Sequence, residues 1–431
     1  MDELAFGSRL KELRSAKAEQ QRRPRIPQRE VAEALRVSPG AYASWESGRT
    51  TPHLTKLSDI ADYFGVSVDH LLGHSVSVRP ERIPYVGRGG LEWSLRRAPQ
   101  TDDEQKGVDV WRRLALGESP GKILSDLDNC LARDVERYVL DAVHPDLISV
   151  DQIPEDAALA NEVQRRFRLR DVHVVPMPVS EPPDNFRALV TNFKLILLGE
   201  AARRFFKKHV VPGMKVGIAG GYSVSRLVYS LRRGECRFLE IYPLAISPVI
   251  ETIDVDANTL VGVFAYRHFG YNVRGFAIQY ASPLEMKNAS DLMRSAPTRR
   301  ILTKAKSVDI AFMGVGSLNR ERLPINWLDD LLAYQGVDFD SLLSSGPVGD
   351  ILYHFIDPSG QPVSPEISNL ICSVELRDLQ ALVDVGVQMV VIAAGRHKAA
   401  TVRAAIGARY ANVLIIDDEL ARELLLEAAG S

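Results

Sequence analysis

Between residues 28 and 49, apolar side chains recur at helical spacing on both sides of a short polar break. These apolar positions are Val31, Ala32, Leu35, Val37, Tyr42 and Trp45. Ser38 stands where an N-cap would begin a second helix, and Gly48 stands where a left-handed residue would end it. Two short helices joined by such a turn form a helix-turn-helix, whose second helix fits a DNA major groove.

The charge of the chain is concentrated near this motif. With 431 residues the chain is too long for one compact core, so we expect two or three domains, and its net charge of -2 gives no overall attraction to nucleic acid. Residues 9–29, however, hold eight arginines and lysines against two glutamates, a local charge of +6. A solvated charged face is one interpretation; beside a helix-turn-helix we favour contacts with DNA phosphates.

Residues 1–74 form the first predicted domain, which is all-α with five helices. Helical apolar spacing recurs over 4–16, 54–64 and 68–72, on either side of the two central helices. Residues 75–105, rich in proline, glycine and arginine, are predicted to be a linker.

Residues 106–145 repeat the helix-turn-helix pattern with a different surface. Segment 124–141 carries five acidic residues against two arginines, a charge of -3. Phosphates would repel a helix of this charge, so we interpret the second helix-turn-helix as degenerate. A role in dimerisation remains open.

From residue 146 to residue 431, short apolar runs alternate with helical patterns. This alternation predicts an open, mainly parallel α/β sheet, which binds ligands at the carboxyl ends of its strands. The predicted strands are 172–177, 215–219, 238–244, 260–264, 276–281, 308–313, 350–356, 389–393 and 413–416.

Two known families share these motifs. Residues 1–73, with Trp45-Glu46-Ser47-Gly48-Arg49 and the segment 64–73, resemble the lambda-repressor/Cro-type (XRE) helix-turn-helix domain. Residues 106–431 resemble the SorC family of sugar-responsive bacterial regulators, whose effector domain is similar to sugar-phosphate isomerases. The matching segments are 151–176, 216–223, 309–316, 349–360 and 394–417.

The first resemblance implies a set of DNA-binding residues. They are Gln28, Ser38, Pro39, Gly40, Ser44 and Arg49, to which we add Arg22, Arg23 and Arg25 of the basic loop. Pro39 and Gly40 lack the amide or guanidinium group that reads a base edge, so specificity would depend on Ser44, on DNA shape or on the loop entering a minor groove.

The second resemblance implies an effector site formed by Gly220, Gly221, Tyr222, Ser223, Asp350 and Lys398. A glycine pair before a helix can cradle an anion, or it can simply form a tight turn. Lys398 would pair with a ligand anion and Asp350 would line the pocket. Two departures from the family pattern, Tyr222 and Ile246, make an empty, vestigial pocket an alternative. Arg267 and His268 could reach the same crevice, although a lone histidine is more often a core residue.

These patterns together predict a DNA-binding transcriptional regulator that senses a small effector of the sugar or sugar-phosphate type. We expect a homo-oligomer, a dimer or tetramer, on a two-fold-related operator. No catalytic constellation stands out, the three cysteines lack metal-ligand spacing, and no cofactor is expected. The acidic start and the short apolar runs predict a cytoplasmic protein without membrane contact. The alternatives are an isomerase-like enzyme with a DNA-binding head and a DNA-binding assembly protein.

Overall fold

The structure is a computed structural model that divides into two compact units, the head (Met1–Ile83) and the body (Pro84–Ser431). It describes residues 3–20, 23–35, 37–64, 66, 71, 85–127, 132–143, 147–179, 187–246, 255–278, 296–318, 339–363 and 372–426. Each unit is described by itself.

The described residues of the head form helices around one apolar core. The helices are α1 (Glu3–Gln20), α2 (Gln28–Ala34), α3 (Pro39–Glu46) and α4 (Leu54–Phe64). Phe6, Leu10, Val31, Tyr42 and Ile60 are buried in this core. Of the predicted fifth helix, Leu71 is helical and buried in the same core, whereas Val68 and Leu72 lie outside the described residues.

The predicted helix-turn-helix is confirmed as α2 and α3. The Ser38 side chain caps α3 by accepting a hydrogen bond from the Ala41 N–H at 3.1 Å, and Pro39 occupies the first turn. Helix α1 crosses the end of α3 closely at Gly7, where a Cβ atom would lie 2.7 Å from the Glu46 carbonyl oxygen. Only glycine permits this approach.

The body begins with a small antiparallel sheet and three helices, together called the module (residues 85–152). The strands are β1 (Tyr85–Val86), β2 (Glu92–Leu95) and β3 (Ile148–Gln152), with β2 central. The helices are α5 (Asp102–Ala115), α6 (Pro120–Ser125) and α7 (Ala132–Val143). The predicted linker is therefore wrong from residue 85 onward: Trp93 is 1% exposed and stacks on Tyr85 with ring centroids 4.4 Å apart.

Helices α6 and α7 lie in the segment predicted to be a second helix-turn-helix, and they pack into the rest of the body. Trp111 of α5 is fully buried, and its ring centroid lies 4.9 Å from that of Phe193 in the following domain. Both residues belong to one continuous core, which also includes Val135 and Val139 of α7. The apolar face of the second helix-turn-helix is thus part of the body core.

The C-terminal part of the body is built on a parallel sheet with strand order β4-β12-β11-β8-β5-β6-β7. Its strands are β4 (Asp171–Val175), β5 (Lys215–Ile218), β6 (Glu240–Pro243), β7 (Arg274–Gly275), β8 (Ile310–Met313), β11 (Gln388–Ala393) and β12 (Val413–Asp417). All residues of β8 and β12 are buried, as the apolar runs predicted for strands covered on both faces.

Helices cover both faces of this sheet. They are α8 (Ala157–Phe167), α9 (Arg187–His209), α10 (Tyr222–Ser230), α11 (Ala257–Arg267), α12 (Ala296–Ala305), α13 (Phe339–Ser344), α14 (Leu376–Asp384), α15 (Ala399–Gly407) and α16 (Asp418–Leu426). Among the described helices, none combines the length and the apolar character needed to cross a membrane.

Three strand predictions need correction. The segment 260–264 lies in helix α11, because Leu260, Val261 and Phe264 are buried at helical spacing and Asp256 caps the helix. The segment 350–356 is a hairpin outside the main sheet, formed by β9 (Gly349–Ile351) and β10 (His354–Ile356). For the segment 276–281, the edge strand β7 ends at Gly275, and residues 279–281 lie outside the described residues.

The strand order fixes where a ligand can bind. Strands β5 and β8 are neighbours, but the chain continues from β5 to β6 on one side and from β8 towards β11 on the other. The loops at their carboxyl ends therefore diverge and leave a crevice, which is the usual ligand site of such sheets.

The close helix crossing in the head yields a paired prediction. Gly7→Ala should destabilise the head by about 2 kcal/mol, because the added methyl group meets backbone atoms that cannot yield. Gly40→Ala should be neutral or stabilise it by up to about 1 kcal/mol, since nothing lies within 4 Å of the new Cβ and alanine favours the helix. Amide hydrogen exchange in α1 and α3 of the full chain measures the change in stability that each substitution causes. Equal effects of the two substitutions would contradict the assigned crossing.

Candidate functional site

The N-terminal end of α3 presents the predicted base-reading residues. Ser38, Pro39 and Gly40 are exposed, so they are accessible to a groove. Ser44, one turn later, is half-buried, and its hydroxyl accepts a hydrogen bond from the Thr50 hydroxyl at 2.9 Å. Arg49 is exposed, and its Nε donates to the Ser47 hydroxyl at 3.2 Å.

Gln28 takes part in a polar network that the sequence did not reveal. Glu46 is 8% exposed, and its carboxylate accepts hydrogen bonds from Arg14 Nη2 at 2.5 Å and from Gln28 Nε2 at 2.8 Å. The bond with Glu46 raises the pKa of Arg14 above its usual range. Gln28 thus helps to hold α2 against the end of α3, and its predicted contact with the DNA backbone remains a prediction.

The arginines of the basic loop before α2 differ in their partners. Arg22 lies outside the described residues. Arg23 donates to both carboxylate oxygens of Glu30, at 2.6 and 2.8 Å. Arg25 is exposed and has no hydrogen bond or ion pair to any residue that the structure describes. Of the two described loop arginines, Arg25 is the better placed for a phosphate.

In the body, the predicted effector residues gather around the crevice between β5 and β8. Gly220 follows β5, and a Cβ there would lie 2.8 Å from the Tyr353 hydroxyl oxygen and 2.9 Å from the Val255 carbonyl oxygen. Gly221 adopts φ 109° at the N-terminus of α10, and its N–H donates to Val255 at 2.8 Å. The glycine pair therefore makes both a tight turn and a close approach.

The hairpin of β9 and β10 brings Asp350 to the same edge. The Gly316 N–H, in the loop after β8, donates to the Asp350 carbonyl oxygen at 2.9 Å, and the Tyr353 N–H donates to the Asp350 carboxylate at 3.2 Å. Burial raises the pKa of Asp350 to about 6, while the Tyr353 N–H and the charge of Lys398 act in the opposite direction.

Lys398 follows β11 and is half-buried. Burial lowers its pKa below the usual range, opposed by the charges of Asp350 and Asp417. Its Nζ nonetheless has no hydrogen-bond acceptor or ion-pair partner within bonding distance among the residues described here. A half-buried ammonium group without a direct partner is suited to an anionic ligand.

Asp417, which the sequence analysis did not single out, positions this lysine loop. Its carboxylate is fully buried at the end of β12 and accepts a hydrogen bond from the Gly395 N–H at 3.0 Å. Lys194 Nζ lies 3.4 Å from the same carboxylate. The apolar run before Asp417 marked the strand, but nothing in the sequence indicated the partner, which lies more than 200 positions earlier.

The two residues suspected of filling the crevice, Tyr222 and Ile246, both contact the core of the body. The Tyr222 ring packs against the core cluster shared with α9, and Ser223 is buried. Ile246 is 2% exposed and packs in the core on the other side of the sheet.

The expectation that Arg267 and His268 follow a strand is wrong, because they end helix α11. His268 is a core residue: it is 1% exposed, and burial lowers its pKa to about 4, so it is neutral. Arg267 donates to the Leu231 carbonyl oxygen at 3.0 Å, beyond the far end of α10.

Comparison with known proteins agrees with this architecture. Residues 151–426 match the family model described as "Putative sugar-binding domain", and residues 24–71 match the model described as "Helix-turn-helix". The chain is 25% identical over 280 residues to the deoxyribonucleoside regulator of Bacillus subtilis (strain 168), which covers 64% of this chain and 82% of the relative. It is 27% identical over 279 residues to the transcriptional regulator LsrR of Enterobacter sp. (strain 638), covering 62% and 75%.

The full-length sorbitol operon regulator SorC from Klebsiella pneumoniae has a similar fold. The TM-score is 0.50 at 22% identity, over 75% of this chain and 100% of that chain. Because the sugar-binding model spans more than half of its length, the chain belongs to the SorC family of transcriptional regulators, with a helix-turn-helix DNA-binding head and a sugar-binding effector domain.

The raised pKa of Asp350 leads to a prediction about stability. Its pKa is about 6 in the folded body against an ordinary value of 3.8, so the folded state binds more protons between these values. The free energy of unfolding should therefore fall by about 3 kcal/mol in total, about 2 kcal/mol of it as the pH rises from 4 to 6, and the loss should persist at higher pH.

Asp350→Asn removes this ionisation and should make the body more stable at pH 7.5, with a smaller slope between pH 4 and 6. Urea unfolding at a series of pH values, followed by tryptophan fluorescence, measures the free energy of unfolding of both proteins. Asp340→Asn, at an exposed position in α13, is the control and should leave the slope unchanged. An unchanged slope in Asp350→Asn would show that Asp350 ionises freely.

Proposed function

We propose that the head binds an operator and that the crevice binds a small anionic, hydroxylated metabolite of the sugar-phosphate class. The observation that carries the effector part is Lys398: its ammonium group is half-buried at the carboxyl edge of the sheet and has no direct partner in the described structure. Asp350, held by Tyr353, supplies an acceptor or a donor for sugar hydroxyl groups, according to its protonation.

The N-terminus of α10 adds to this anion site. The first N–H groups of a helix have no partner within the helix, and the helix dipole favours negative charge there. Gly221 leaves open space in front of this helix, since nothing lies within 4 Å of a Cβ atom at that position, and the Tyr353 hydroxyl lies beside Gly220. Ile246 supports a working crevice because it is buried in a core cluster, and the partly buried Tyr222 packs against another core cluster.

The regulatory step is a population shift. The effector favours one arrangement of the subunits of a dimer or tetramer and thereby changes the spacing of paired heads on a two-fold-related operator. The effector can change the free-energy difference between the two subunit arrangements only by the difference in its binding free energy to them. We further propose that the protein works in the cytoplasm and carries out no chemical turnover, its effector domain serving as a sensor.

Lys398 provides the test of the effector site. A thermal-shift panel of sugar phosphates, sugar acids and nucleotides should contain at least one compound that stabilises the full chain. Lys398→Met should weaken its binding by about tenfold or more, the equivalent of one hydrogen bond to a charged group. The control is Lys208→Met, at an exposed position of α9, which should keep the wild-type affinity. A panel without any stabilising compound would favour a vestigial crevice.

The head is tested by binding of the full chain to DNA fragments from its own genomic neighbourhood. Removal of residues 1–74 should abolish specific binding to these fragments. If the truncated chain still binds them, the operator sequence is recognised by the second helix-turn-helix. Arg25→Gln should weaken binding and lower the slope of log K against log salt by about 0.9, the value for one phosphate contact. Arg165→Gln, at an exposed position in the body, should leave the slope unchanged. Unchanged binding by Arg25→Gln would remove this residue from the interface.

A further inference from the structure

A cavity of about 810 Å³ lies within the body where the module meets the C-terminal domain. Its lining includes Arg96, just after β2, together with Ile148 and Val150 of β3. The opposite wall comes from the last turn of α10, the loop that follows it and the end of α11. Helix α10 starts at the effector crevice and is about 13 Å long, so the cavity and the crevice lie at opposite ends of it.

The lining of this cavity is strongly cationic. It contains five arginines, Arg96, Arg226, Arg232, Arg233 and Arg267. The lining includes one carboxylate, Glu200, and that carboxylate already accepts a hydrogen bond from Arg203 Nε at 2.8 Å. Among the lining residues, five guanidinium groups thus stand against this single carboxylate.

Three of these arginines donate a hydrogen bond to a neutral group. Arg232 Nη2 donates to the Ser149 hydroxyl at 3.1 Å, and its Nε is buried without an acceptor among the described residues. Arg226 donates to the Asn192 side chain at 3.0 Å, and Arg267 donates to the Leu231 carbonyl oxygen at 3.0 Å. Burial and the nearby charges of Arg203 and Arg96 lower the pKa of Arg232, opposed by the charges of Glu200 and Glu235. Like charges held together in a half-buried space favour the entry of a counter-charge.

We propose that this cavity is a second ligand site, separate from the effector crevice, and that it binds a small molecule carrying two or more phosphate groups. Guanidinium groups are well matched to phosphate oxygens, and one phosphate cannot neutralise five of them. Arg96 belongs to the module, whereas Arg226, Arg232 and Arg267 belong to the C-terminal domain. A bound polyphosphate therefore links the two and stiffens the joint between them.

The test uses the full chain with inorganic pyrophosphate as the probe and sodium sulfate at matched ionic strength as the reference. Isothermal titration should give saturable binding of pyrophosphate that sulfate does not reproduce. Hydrogen exchange should slow in residues 92–96, 148–152 and 226–233 and remain unchanged in residues 395–398.

The variants locate the site. Arg233→Gln changes an exposed residue of the lining and should weaken pyrophosphate binding about tenfold. Arg96→Gln combined with Arg232→Gln should weaken it at least a hundredfold, with circular dichroism verifying the fold. Arg237→Gln, at an exposed position outside the lining, is the matched control and should keep the affinity within twofold.

Lys398→Met separates this site from the effector crevice. Unchanged pyrophosphate affinity in this variant supports a second site, whether or not the crevice proves functional. The proposal is overturned if sulfate at equal ionic strength binds as well as pyrophosphate, if Arg237→Gln weakens binding as much as Arg233→Gln, or if binding is lost in Lys398→Met and kept in Arg233→Gln.

Discussion

The parallel pairing of β5 with β8, in which Val216 faces Ile310 and Ile218 faces Phe312, determines where the body can bind a ligand. Since the chain leaves these two strands in opposite directions, the segments that follow them diverge at their carboxyl ends. Gly220, Asp350 and Lys398 are far apart in sequence, yet each comes from a segment that ends or folds at this edge. The chemistry of the crevice is thus a consequence of strand order, and individual side chains adjust it.

Most strands of the main sheet could be predicted because each contains a short apolar run, as burial on both faces requires. The helical structure of segment 260–264 could not be predicted, since the spacing of Leu260, Val261 and Phe264 fits a short buried strand as well as a helix. The hairpin at 349–356 was missed for a different reason. Its turn residues, Leu352 and Tyr353, have φ of 50° and 68°, a conformation that glycine or asparagine usually marks.

Some of the site residues could also be predicted from the sequence, and others could not. A glycine pair before a helix is a local signal, and a lysine after an apolar strand can be placed by family resemblance. The contact of Tyr353 with the Gly220 turn joins segments more than 100 residues apart and depends on a hairpin that the sequence did not reveal. In the head, Arg14 is one of the cations of the basic segment 9–29, but it forms a partly buried ion pair with Glu46. The Arg23–Glu30 pair is about 40% exposed, and such pairs are weak enough to exchange a carboxylate for a DNA phosphate.

The contact between Trp111 and Phe193 has a practical meaning for anyone who wishes to recombine such regulators. The predicted linker suggests a fusion point near residue 105, but a cut there would remove Trp93 from the core that it shares with Trp111. The module shares one continuous core with the domain that follows it, so it acts as a structural collar of the sensor and cannot be separated from it. A transplanted head should accordingly be joined upstream of Tyr85, so that the collar travels with its sensor.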